Sequence, residues 1–337
     1  MHIDLPKVDV ALFFRRSGVF FSIEEIFGTV AEHLPESIRV KSLTAPCGGA
    51  RVAALLANCT WARGNGTDVN HITGDIHYVA MALPRKRTIL TIHDLRILEG
   101  PPSLKKSLLK LLWFTLPVTH CGRITVISQA TKKELLRTVR VNPAKVRVIP
   151  DPLSPRFTFS LRPFNGTRPT LLQVGTTENK NILRLVQALH GIPCLLKILG
   201  KPTDEQVNCL RENGVDFEPV VGLSSEEVVA LYRECDLVTF VSTCEGFGLP
   251  IIEGNAVGRA VITSNLSSMP EVAGDAALLV DPFDVSAIRS AIQAVIDNRE
   301  LREALIQKGV KNVERFSART IANRYAELYR EVASGAK

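Results

Sequence analysis

No two of the seven cysteines (Cys47, Cys59, Cys121, Cys194, Cys209, Cys235, Cys244) are spaced as Cys-x-x-Cys, and their number is odd. They read as small core residues in a reducing compartment rather than as a disulfide or zinc framework. No stretch approaches the roughly 18 uninterrupted apolar residues of a spanning helix. The opening residues are charged and polar with no apolar h-region, so no signal peptide is expected. By elimination the expected location is cytoplasmic, with the inner face of the cytoplasmic membrane included. There is no Asp-x-Asp and no His/Cys cluster at metal-ligand spacing, so neither a metal nor another cofactor is expected. Aromatic residues make up only 6% of the chain. With no stacking platform and no known nucleic-acid module, nucleic acid is not an expected partner.

What is present is the material of two cores. Of the 337 residues 45% are hydrophobic and 22% charged, a length suited to about two domains. The net charge of +7 is uneven: residues 1–150 hold 21 Lys+Arg against 11 Asp+Glu, leaving the remainder slightly acidic. Such asymmetry speaks to partners rather than to fold. Val- and Ile-rich runs at 8–14, 38–43, 69–73, 88–92, 123–127 and 146–149 lack strict alternation, as strands buried on both faces do. Helical patterns at 23–33, 50–61, 104–116 and 129–139 lie between them. The rhythm continues with strands at 170–174, 194–199, 216–219, 237–241, 260–263 and 277–280, and helices at 181–190, 203–212, 225–233 and 250–257. This alternation predicts an α/β protein of two doubly wound, Rossmann-like parallel-sheet domains facing across a cleft. Four prolines among residues 150–163 mark the junction. The expected domains are 1–165 and 166–317, with a further amphipathic helical pattern between 318 and 337.

The stretch Glu245-Gly246-Phe247-Gly248-Leu249-Pro250-Ile251-Ile252-Glu253 follows a buried strand and enters a helix. Pro250 suits the first helical position, and Gly246 and Gly248 let backbone N–H groups approach a ligand closely. A helix N-terminus attracts anions such as a diphosphate, and Glu253, expected in the first turn, can accept from two vicinal hydroxyls. Phosphate donors, one carboxylate at the mouth and a second inside match a nucleotide-sugar. The glycines and proline alone would read as a plain strand–turn–helix.

This segment resembles the E-x7-E motif of family 4 glycosyltransferases, the glycogen-synthase-like retaining enzymes of GT-B architecture. The resemblance extends through Ala256-Val257-Gly258-Arg259-Ala260-Val261-Ile262-Thr263-Ser264, Met269-Pro270-Glu271-Val272-Ala273-Gly274-Asp275-Ala276 and Val280-Asp281-Pro282. It is strong over about 170–320 and weaker but continuous before that, and it implies that the C-terminal helix from 318 to 337 packs back on the first domain. It implies transfer of a sugar from a UDP- or GDP-linked donor to an acceptor hydroxyl with retention of configuration and without a metal. The proton would pass to the leaving phosphate during same-face attack. It further implies that Glu253 holds the ribose, that Glu245 holds the transferred sugar, and that Gly246, Phe247, Gly248 and Leu249 contact sugar and phosphate. Val221-Gly222 resembles the place that receives the base, and a strand-end turn is an equal reading of it. Gly175 and Thr176 begin a loop leading to Lys180, the expected phosphate clamp, and His93 is expected to reach the donor sugar. Asp94 would orient that imidazole or cap the next segment.

Two departures stand out. Where the family commonly has Arg-Lys-Asn, this chain has Asn179-Lys180-Asn181, leaving open whether Arg15 or Arg16 supplies the missing cation. Where the family has a glycine-rich loop after the first strand, only Gly18 is present in Phe14-Arg15-Arg16-Ser17-Gly18. The acceptor is expected on the basic first half, as a sugar, a polysaccharide precursor or a lipid-linked precursor. The segment Ser103–Phe114 is apolar and basic, as an interfacial helix touching anionic membrane would be, and equally as a buried helix with a lysine-rich outer face. A non-catalytic nucleotide-sugar-binding scaffold and an epimerase-like enzyme are the alternative readings.

Overall fold

The computed structural model describes residues 7–16, 22–49 and 51–335. They divide into two compact units, Met1–Pro152 with Ala318–Lys337, and Leu153–Ser317. The division falls at Pro152 rather than at residue 165, because the proline-rich segment is tied into the second unit. Leu153 N–H donates to the Phe316 carbonyl, Arg259 holds the Ser160 carbonyl, and Arg162 pairs with Asp236.

In the first unit β1 (Val8–Phe14), α1 (Ser22–Glu32), β2 (Ile38–Thr44), α2 (Val52–Gly64), β3 (Val69–Ile72) and β4 (Thr88–Ile92) are followed by α3 (Leu104–Leu109), α4 (Leu116–His120), β5 (Arg123–Val126), α5 (Gln129–Thr138) and β6 (Val146–Val148). The sheet order is β2-β1-β3-β4-β5-β6, all parallel. β1, β3 and β4 are buried along most of their length, as central strands covered on both faces are. The direction of winding reverses between β1 and β3. The helix expected from residue 50 starts at Val52, and residue 50 itself lies outside the described residues. The helix expected over 104–116 is present and continues to His120, as α3 and α4 with a π-helical stretch, Lys110–Thr115, running between them. Pro117 has no N–H to continue the ladder, which is a physical reason for the register to widen there.

The returning helix α13 (Ala318–Ser334) packs on α1, β1 and β3. Tyr329 Oη lies 2.8 Å from His71 Nδ1, and the other ring nitrogen is 2.7 Å from Thr91 Oγ1. Burial, with the neighbouring His93 second, pulls the His71 pKa down to about 3, so the ring is neutral. At the rim of the same helix Glu331 accepts from Arg123 and Arg147 at 2.8 and 2.7 Å.

In the second unit β7 (Thr170–Val174), α6 (Ile182–Leu189), β8 (Leu195–Leu199), α7 (Asp204–Glu212), β9 (Asp216–Val220), α8 (Ser225–Glu234) and β10 (Leu237–Phe240) precede α9 (Leu249–Ala256), β11 (Ala260–Ser264), α10 (Met269–Ala273), β12 (Leu278–Val280), α11 (Val285–Asp297) and α12 (Arg299–Asn312). Reciprocal boxes at Thr203/Gln206 and Ser224/Glu227 cap the N-termini of α7 and α8. The order β12-β11-β10-β7-β8-β9 is the doubly wound arrangement in which β7 and β10 flank the switch point. Ligands of such sheets bind at the carboxyl ends of the strands there.

Asp151, just after β6, is 5% exposed, and burial raises its pKa to about 6, against an opposing influence of His93. A raised carboxyl pKa is neutral for stability below the unfolded value and costs stability as pH climbs through the folded value. Asp151→Asn should therefore gain on the parent protein between pH 4 and 7, by up to about 3 kcal/mol. Urea unfolding at pH 5 and pH 8 measures the difference; an equal difference at both would contradict the shift.

Candidate active site

Both loops at the second unit's switch point carry residues that the sequence singles out. After β7, Gly175 adopts φ +83°, and a Cβ there would sit 2.9 Å from Lys180 Cε. Only glycine lets the lysine fold back across the strand end. Lys180 Nζ then reaches Glu245 Oε1 at 2.6 Å and lies 4.7 Å from the centroid of the Phe240 ring. The two charged side chains are 18% and 14% exposed, so they are largely withdrawn from water and screened less than a surface pair.

Asn179, at the position of the missing arginine, joins the two loops. Its Nδ2 donates to the Cys244 carbonyl at 3.0 Å and to Glu245 Oε1 at 3.1 Å, and its own carbonyl accepts from the Thr243 N–H at 2.8 Å. Asn181, left-handed at φ 59°, donates to the Val241 and Pro282 carbonyls from a buried position.

The loop after β10 is held from behind by a serine pair. Ser267 and Ser268 hydroxyls donate to the Glu245 carbonyl at 2.6 and 3.0 Å, and Ser268 also reaches the Phe247 carbonyl at 2.7 Å. Because the C=O and N–H of one peptide point in opposite directions, the Gly246 and Gly248 N–H groups are aimed away from the serines. Gly248, at φ +109°, is the N-cap of α9, a conformation unfavourable for a residue with a side chain. Leu249 opens the helix and Pro250 is second, one position later than expected. Glu253 therefore lies beyond the first turn. Its Oε2 accepts from the Tyr232 hydroxyl at 2.5 Å. Tyr232 is fully buried, with its ring edge-on to Phe157, and burial followed by the Glu253 charge pushes the phenol well above its usual pKa. The phenol stays a donor.

The ends of β7, β8 and β9 are linked in series: Gly175 N–H donates to the Leu199 carbonyl and Gly200 N–H to the Val220 carbonyl, each at 2.8 Å. The Thr176 carbonyl accepts from Gln206 at 2.9 Å. Val221, 59% exposed, and Gly222 follow on the same edge of the sheet. The structure thus gathers Gly175, Thr176, Lys180, Glu245–Leu249 and Glu253 around one switch point, with Val221-Gly222 further along the edge. Tyr232, Ser267, Ser268 and the inward role of Asn179 escape sequence reading, because each acts through a contact across many residues and none belongs to a local pattern.

In the first unit His93 follows β4, and its Nε2 donates to the Thr73 carbonyl at 2.9 Å. Asp94 does not orient the imidazole; its carboxylate accepts the Arg96 N–H at 3.0 Å and opens a short 3-10 turn. Arg15 is engaged by Asp75 at 2.7 Å and Glu24 at 3.6 Å, whereas Arg16 is exposed at the end of β1. Gly18 lies outside the described residues.

Two parallel-sheet units, the second with its Lys180 and Glu245 loops paired at the switch point, define a doubly wound α/β protein. The chain belongs to the family 4 glycosyltransferases: residues 158–312 match glycosyl transferases group 1 and residues 7–156 match Glycosyltransferase Family 4. Among relatives, it is 28% identical over 257 residues to O-antigen chain mannosyltransferase B of Escherichia coli, covering 69% of this chain and 67% of that protein. It is 25% identical over 221 residues to the MMP alpha-(1->4)-mannosyltransferase of Mycolicibacterium hassiacum, covering 61% of this chain and about half, 53%, of that protein. The fold is GT-B; Anabaena Alr3699/HepE, solved with UDP-glucose, superposes with a TM-score of 0.77 at 15% identity over 95% of this chain and 99% of that one.

The Lys180–Glu245 bond predicts energetic coupling. In a double-mutant cycle, Lys180→Ala and Glu245→Ala should couple by about 1–2 kcal/mol, above the usual value for exposed pairs. Chemical denaturation checks this, and strictly additive effects would show the pair to be incidental.

Proposed function

We propose that the chain transfers a sugar, with retention of configuration, from a UDP- or GDP-linked donor to an acceptor hydroxyl of a polysaccharide or lipid-linked precursor. The observation that carries this reading is the Lys180–Glu245 pair at the β7/β10 switch point, with α9 opening behind it. A departing diphosphate gains negative charge in the transition state, and a fixed ammonium and helix N-terminus stabilise that charge. On this reading Lys180 exchanges Glu245 for the diphosphate. Glu245, released, accepts from the sugar hydroxyls, and Glu253 accepts from the ribose. Gly246–Leu249 with Gly175 and Thr176 line the phosphates, and Val221-Gly222 meets the base. His93, its Nε2–H committed to Thr73, serves the transferred sugar through the remainder of its ring, and Arg16 belongs to the donor's surroundings. Lysine and helix dipole take the place of a metal, so activity should survive EDTA. The two mannosyltransferase relatives favour mannose as the sugar.

The acceptor reading rests on the basic first unit. Leu104, Leu108 and Leu111 are 92%, 56% and 43% exposed at helical spacing, with Lys105 and Lys110 exposed beside them. Apolar side chains flanked by lysines fit the boundary of an anionic membrane. No described helix is long and apolar enough to cross one.

Lys180→Ala and Glu245→Ala should each lower transfer by at least about a hundredfold, the scale of losing one fixed transition-state charge partner. Product formation from UDP- and GDP-sugar panels tests this; wild-type rates in both variants would refute the site. Sedimentation with phosphatidylglycerol vesicles at low salt should carry the protein down, and Leu104→Ser/Leu108→Ser should leave it in solution. Equal partition of the two would remove the membrane reading.

A further inference from the structure

A second charged site lies at the opposite, amino-terminal edge of the same sheet. A groove of about 540 Å³ is lined by four arginines, Arg162, Arg259, Arg299 and Arg302, against two carboxylates, Asp236 and Glu303. The internal pairing does not cancel this excess. Arg259, 3% exposed, is bonded only to neutral groups, the carbonyls of Ser160, Arg233, Cys235, Val257 and Gly258. Its hydrogen bonds are satisfied, but its charge is met only by Asp236, which it shares with Arg162. The fully buried Asp236 carboxylate is already occupied by Arg162 Nε at 3.3 Å and the N–H groups of Asn165 and Thr170.

The other arginines spend only part of their donors on the protein. Arg302 lies 4.0 Å over the Phe164 ring and uses Nη1 alone, on the Val295 and Ile296 carbonyls. Arg299 uses Nε on Glu303 at 2.7 Å, and Arg162 uses Nε on Asp236. All three arginines line the groove, and Leu161, Phe164 and Ile306 supply an apolar wall. Crowding of like charge is visible in the guanidinium of Arg302, held below its usual pKa by burial and then by Arg299. Arg299 also opens the fourteen-residue α12, whose N-terminal dipole adds to the positive field.

We propose that this groove binds a phosphorylated small molecule, its phosphate taken by Arg162, Arg299 and Arg302 and its body laid against Phe164 and Leu161. Planar guanidinium forks match phosphate oxygens two at a time, and a doubly charged anion would neutralise the surplus. The site is separate from the one at the switch point, since strands β10 and β11, roughly 13–17 Å long at about 3.3 Å per residue, run between the two edges. It does not depend on the transfer reaction proposed above.

Calorimetric titration of the full chain with inorganic pyrophosphate in 150 mM NaCl tests the assignment. Binding should persist within twofold in Lys180→Ala, weaken about threefold in Arg299→Gln, whose parent side chain is 82% exposed, and weaken at least tenfold in Arg162→Gln/Arg299→Gln. The double variant should keep the parent circular dichroism spectrum. Absence of pyrophosphate binding to the parent protein, or binding lost in Lys180→Ala and retained in the double variant, would overturn it.

Discussion

The bond between Lys180 and Glu245 is the constraint around which the second unit's site is arranged. Two opposite charges, each mostly out of water, need each other when no ligand is present, because either one left alone would carry an uncompensated desolvation cost. The surrounding residues keep them together. Gly175 makes room for the lysine stem, Phe240 lies beneath the ammonium, and Asn179 supplies a second donor to the same carboxylate oxygen. A ligand that brings its own anion and its own hydroxyls can replace both halves at once. On the proposed reading such a site favours a molecule carrying both over free phosphate or free sugar, each of which would leave one partner unpaired.

The departure at position 179 takes on physical sense in that setting. An arginine there would add a cation. Asparagine, neutral and short, instead stitches the loop after β7 to the loop after β10 through the Cys244 carbonyl and the Thr243 N–H. The chain thus exchanges positive charge for rigidity at the switch point. Lys180 is left as the cation that this loop directs there, and the α9 N-terminus is its complement.

Much of the fold was legible because its strands are buried on both faces, so that short Val/Ile runs separated by amphipathic stretches admit little besides parallel α/β units. Where local chemistry competed, the reading slipped. Before Pro117 the expected helix widened into a π-helical stretch and ran on to His120, Pro250 took the second helical position, and the proline-rich junction joined the second unit through Arg162 and Arg259. At the site, Glu245 and Glu253 stood out by their spacing across a strand–turn–helix, and Lys180 through the family resemblance. What holds them did not. Tyr232 reads as one more apolar residue of an amphipathic helix, and Ser267 and Ser268 read as loop polarity. Their meaning comes from contacts 21 to 23 residues away along the chain, which no periodicity encodes. Of the two roles open to Asp94, it takes the local one, its carboxylate accepting the Arg96 N–H at the start of the next segment.

The most direct test is a crystal structure of the chain soaked with an intact nucleotide-sugar. The account predicts that Lys180 Nζ has left Glu245 for a diphosphate oxygen, with the Glu245 carboxylate on the sugar and Glu253 on the ribose. A complex in which the 2.6 Å Lys180–Glu245 bond is intact and the diphosphate lies away from the ends of β7 and β10 would contradict it.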